Sequence, residues 1–69
     1  MADFTISLKA ARINAEMSQD EAARNIGVSG SALASWEQGR HVPSYENVVL
    51  LAKIYNCPVG FIRLSNSSQ

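Results

Sequence analysis

Sixty-nine residues, 46% of them hydrophobic and 17% charged, suit one small globular domain and exclude a disordered chain or a multi-domain assembly. The lone cysteine, Cys57, permits no internal disulfide, and one His with one Cys makes neither a metal cluster nor a nucleophile with its base, so bridge-stapled secretion and catalysis both fall away. Six Lys and Arg cancel six Asp and Glu, which excludes attraction to a polyanion by net charge; only charge gathered on one face could supply it.

The apolar period is helical along the chain and no strand-like alternation persists, so the expected class is all-α, one domain over residues 1–69. A first helix is predicted over about 4–14, with Leu8, Ala11 and Ala15 on one side and Asp3 or Thr5 as its cap. Ser18-Gln19-Asp20-Glu21 has the S-x-x-E form of a capping box, in which the hydroxyl and the Glu21 carboxylate each satisfy a free backbone donor. A second helix over about 19–25 starts there and stops before Gly27, which can take the left-handed conformation without steric cost. Ser29 caps a third helix over 30–38, ended by Gly39. After Pro43-Ser44, the residues Val48, Leu51, Ala52 and Tyr55 mark a fourth helix over about 45–55, and a short fifth over about 59–64 follows Pro58. The tail over 65–69 has nothing to bury and is expected to be loose.

From Gln19 to Arg40 the spacing fits two short helices crossing at a tight turn, the helix-turn-helix that places one helix in a DNA groove. Ala22, Ile26, Val28, Leu33 and Trp36 are its apolar positions, Ala23 sits at the closest approach, and Gly27 reverses the chain. At ~100° per residue the third helix has two sides. Leu33, Trp36 and Glu37 share one and must face the core, so Trp36 reads as packing rather than as a base-stacking aromatic. Ser31, Ala34, Ser35 and Gln38 share the other, a small uncharged strip that is either an inert solvent face or a surface for base edges and thymine methyls. Glu37 on the core side needs a partner, because an unpaired buried carboxylate is costly. Arg12, one turn after Leu8, is the expected one, and the pair would orient the third helix.

Val59, Phe61, Ile62 and Leu64 offer more apolar surface than a short terminal helix readily buries. They are candidates for a two-fold contact between protomers, or they fold onto the chain's own core. Cys57 reads as a small apolar group joining the last helices.

LKAAR, SQDEAA, SxxxLxSWExGR and VPSYENVVLLAKIYNCPVGFI, in that order from about Leu8 to Ile62, together resemble the Cro and C1 type helix-turn-helix domains of phage repressors, the Xre family. That resemblance implies a compact five-helix, lambda-repressor-like fold. It also implies operator binding, commonly as a homodimer on a palindrome, and an Arg12–Glu37 pair of a kind that recurs in the family. Carried over by position, it makes Gln19, Gly30, Ser31, Ala34 and Ser35 base-proximal, and Ser29, Gln38, Arg40, His41 and Ser44 phosphate-proximal. Two departures stand out. Gly30 has no side chain where long polar residues are common, and Pro58 replaces a usual Ser or Thr cap. Direct readout is therefore expected to be modest: either Gly30 lets the backbone approach closely and sequence is read through DNA shape and thymine methyls, or the chain binds weakly and relies on dimer symmetry or a partner. About 3 to 5 phosphate contacts per protomer give a shallow salt dependence.

The expected function is a repressor-like, sequence-specific DNA-binding regulator with double-stranded DNA as partner. No cofactor, metal, small-molecule ligand or membrane is expected, and the location is expected to be cytoplasmic, since no apolar run nears ~20 residues and no signal-peptide layout is seen. The alternative is a protein interaction module on the same scaffold, such as an antirepressor, which the neutral charge and the small third-helix face also suit.

Overall fold

Among the described residues a serine stands immediately before every α-helix, and each serine turns its hydroxyl oxygen onto the backbone three residues further on. The computed structural model describes residues 5–64. In it α1 (Leu8–Asn14), α2 (Gln19–Ile26), α3 (Gly30–Gln38) and α4 (Tyr45–Ile54) follow one another. The oxygen of Ser7 accepts from Ala10 N–H at 3.1 Å, Ser18 from Glu21 at 3.0 Å, Ser29 from Ala32 at 3.1 Å and Ser44 from Asn47 at 3.2 Å. Each such cap contributes about 1 kcal/mol. Of the two arms expected in the capping box, the serine arm is formed.

The first helix starts at Leu8 rather than near residue 4, and its cap is Ser7. Thr5 caps nothing; its hydroxyl accepts from Arg63 Nη1 at 3.1 Å. The Asp3 cap and the loose tail fall outside the described residues. Ahead of α1 the backbone is extended, and β1 (Ile6–Ser7) pairs in parallel with β2 (Ile62–Arg63), Ile6 opposite Ile62 and Ser7 opposite Arg63. Two residues are too few to show a period of two, so this strand pair left no signal in the hydropathy pattern.

The expected fifth helix is replaced by a single 3-10 turn, Val59–Phe61, running directly into β2. Gly60 and the β-branched Val59 and Ile62 are poor helix formers, and the ladder with β1 draws Ile62 into extended backbone. The fold is thus mainly helical, with four α-helices, one 3-10 turn and one two-stranded parallel sheet among the described residues.

Sharp exits separate the helices. Gly27 (φ 77°) and Gly39 (φ 81°) are left-handed, which lets Val28 N–H reach back to Ala23 C=O and Arg40 N–H to Ser35 C=O, both at 3.0 Å. Leu33 and Leu51 are completely buried at the centre, surrounded by Leu8, Ala11, Ala22, Ala23 and Tyr55. The small Ala22 and Ala23 let α2 lie close against its neighbours. Ile26, Val28, Trp36, Cys57, Ile62 and Leu64 pack around that centre, partly buried. Burying a leucine contributes roughly 1.5–3 kcal/mol, so Leu33 anchors α3 and Leu51 anchors α4.

Candidate nucleic-acid interface

The core side of α3 is held by both packing and charge. Leu33 is buried, and the Glu37 side chain is only 3% exposed, with that of Arg12 at 11%. Arg12 reaches across from α1: its Nε donates to Glu37 Oε2 at 2.7 Å and its Nη2 to Oε1 at 3.2 Å. The same guanidinium donates from Nη1 to the Met17 carbonyl at 2.9 Å. Gln19, at the start of α2, donates from Nε2 to Glu37 Oε1 at 2.9 Å. Three donors on one carboxylate offset the desolvation a lone charge would suffer. The hydrogen bond to Glu37 raises the Arg12 pKa, burial opposes it, and the Glu37 charge adds to the rise. The Glu37 carboxylate thereby joins α1, α2 and α3, and the Arg12 guanidinium ties in the turn after α1.

Tyr55 lies beside this cluster. Burial pushes its phenol up to about 12, the Glu37 charge adding and the Arg12 charge opposing. Its hydroxyl is buried without a hydrogen-bond partner among the described residues.

The opposite side of α3 is open. Ser31 and Gln38 are exposed, and Gly30, Ala34 and Ser35 are half-buried. Around this strip Ser29, Arg40, His41 and Ser44 are all exposed, while the buried Pro43 seats the loop between α3 and α4. The hydroxyl oxygens of Ser29 and Ser44 accept the cap hydrogen bonds, which leaves each hydroxyl proton free to point outward. The ten positions read from the sequence as base- or phosphate-proximal therefore divide. Nine lie along α3 and its two flanking loops, whereas Gln19 is engaged with Glu37.

The geometry adds Asp20, which the sequence presents only as part of the capping box. A Cβ placed on Gly30 would lie 2.6 Å from Asp20 Oδ1. The Asp20 carboxylate thus occupies the direction in which a side chain at position 30 would leave α3. No spacing rule shows this, because it depends on how α2 crosses α3.

The candidate protomer contacts also divide. Ile62 and Leu64 pack on the chain's own core and Val59 is half-buried, while Phe61 is 51% exposed. Among the described residues no helix is long and apolar enough to cross a membrane.

A helix-turn-helix family profile matches residues 8–62, which spans all four α-helices. A curated relative, the cryptic phage CTXphi transcriptional repressor RstR of Vibrio cholerae, is 32% identical over 57 residues, covering 83% of this chain and 51% of the relative. The chain therefore spans about half the length of that relative. No solved structure matches. Four helices in this order, the Gly27 turn between α2 and α3, and a family match over most of the chain lead to one assignment: the chain belongs to the helix-turn-helix family of the Cro and C1 type.

Proposed function

We propose that the chain is a sequence-specific, DNA-binding transcriptional regulator of the repressor kind, without catalytic activity, that sets α3 in the major groove. The observation that carries this reading is the asymmetry of α3. Its core side is fixed by Leu33 and by the Arg12–Glu37–Gln19 cluster, while its outer side presents hydroxyls, a methyl and a carboxamide. A rigidly mounted helix with a small, uncharged outer face can approach base edges closely, and few phosphate contacts are then needed to position it. Arg40, His41, Ser29, Ser44 and Gln38 would provide those contacts, and Ser31, Ala34, Ser35 and the Gly30 end of α3 would meet the bases. The similarity to a phage transcriptional repressor supports the same reading.

A homodimer on a palindromic operator fits the family and would use the exposed Phe61 and its neighbour Val59. The location that follows is the cytoplasm. Selection from a randomised duplex pool tests the proposal: a symmetric consensus is expected, preferred over random sequence by at least ~10³. A pool that enriches nothing would favour the partner-binding alternative, which the balanced charge of six basic and six acidic residues also suits.

A further inference from the structure

Resting on that DNA-reading proposal, we infer that Asp20 is a specificity-determining residue: its carboxylate stands in for a side chain at position 30 and selects a cytosine in the major groove. Gly30 opens α3 at the edge between its two sides, half-buried and close in direction to both Ala34 on the outer face and Glu37 on the core side. The first residues of a recognition helix are the ones that meet base edges. At this point the chain offers no side chain of its own. The space beyond Gly30 Cα is filled from α2, with Asp20 Oδ1 2.6 Å and Cγ 3.8 Å from where a Cβ would stand. Asp20 is exposed, and the ion pair found among the described residues, Arg12–Glu37, does not involve it. Gly30 and Asp20 thus form one unit, since almost any side chain at 30 would displace the carboxylate.

An ionised carboxylate only accepts hydrogen bonds. In the major groove guanine presents two acceptors and thymine one, both of which repel it; adenine sets an acceptor beside its donor; cytosine presents the N4 amino donor alone. Cytosine is therefore the base it favours. A carboxylate near the duplex also repels phosphates, but that penalty is the same for every sequence. The two effects can be told apart.

The experiment is pool selection followed by titration of single-base variants of the consensus, with the wild type, Asp20→Asn and Asp20→Ala. The wild type should select a cytosine at one position in each half-site. Asp20→Ala should erase that preference, lowering the cytosine duplex about tenfold relative to its three variants and leaving the rest of the consensus intact. Asp20→Asn, equal in size, should move the preference to adenine, which asparagine can pair through N6 and N7. If Asp20→Ala instead tightens all duplexes by one common factor with base preferences unchanged, Asp20 only repels phosphate and the inference is overturned. A wild-type pool with a consensus but no such cytosine overturns it too, while leaving the proposed function standing. A pool without any consensus removes both.

Discussion

The two sides of α3 are built by opposite rules. On the core side, both oxygens of Glu37 are hydrogen-bonded and Leu33 has no exposed surface; on the outer side, Ser31 and Gln38 are exposed and small groups lie between them. Stability is concentrated where the helix cannot be reached, and the reachable face is left free to vary. The division implies that stability and DNA binding should respond to different substitutions.

The largest effect is expected from Glu37→Ala. It leaves the part-buried Arg12 guanidinium without its carboxylate, so unfolding free energy should fall in a denaturant titration, by less than the roughly 3–5 kcal/mol lost when a fully buried pair is broken. The Arg12→Ala, Glu37→Ala double variant should lose much less than the sum of the singles. An unchanged melt in both singles would show that the core side is held by packing alone. Ser31→Glu should do the reverse: binding to the selected duplex weakened about a hundredfold by a carboxylate brought against the groove, with stability moving by less than about 0.5 kcal/mol. Intact binding would reject the docking of α3.

Gln19 touches both rules, since it starts α2 and holds Glu37. Gln19→Ala should lower stability by about 1 kcal/mol and weaken binding severalfold; an effect on binding without one on the melt would mean that Gln19 leaves Glu37 for the DNA. Tyr55→Phe is the mildest change, within about 1 kcal/mol at neutral pH, because the hydroxyl has no partner to lose. Its signature is at alkaline pH. The folded phenol titrates near about 12 and the unfolded one near about 10, so its contribution is intact below about pH 10 and drains as pH rises between those values. The wild type should therefore lose stability there faster than Tyr55→Phe. Parallel curves would show that Tyr55 ionises as freely in the fold as out of it.

Much of this was legible in the residues. Ser18, Ser29, Gly27 and Gly39 mark α2 and α3 to within a residue, because caps and left-handed exits are local chemistry. A carboxylate on an apolar face and an arginine one turn past Leu8 named both members of the Arg12–Glu37 contact. Less local features stayed hidden. The β1–β2 pair joins opposite ends of the sequence through two residues each, and hydropathy has no period to show over that length. The start of α1 is hidden for the same reason, since Ser7 serves both the ladder and the cap. At the site, the positions along α3 follow from its wheel, but the bond from Gln19 to Glu37 and the reach of Asp20 over Gly30 are products of the crossing between helices.

The short ladder at the edge of the fold also carries a dynamic consequence. Ser7 both pairs opposite Arg63 and supplies the oxygen that steadies the opening turn of α1, so peeling away the late segment releases the backbone that holds that oxygen in place. The chain is latched into a ring whose two arms should fray as a single unit. Amide exchange at Ile62, Arg63 and Ala10 should then rise together under any condition that loosens either arm.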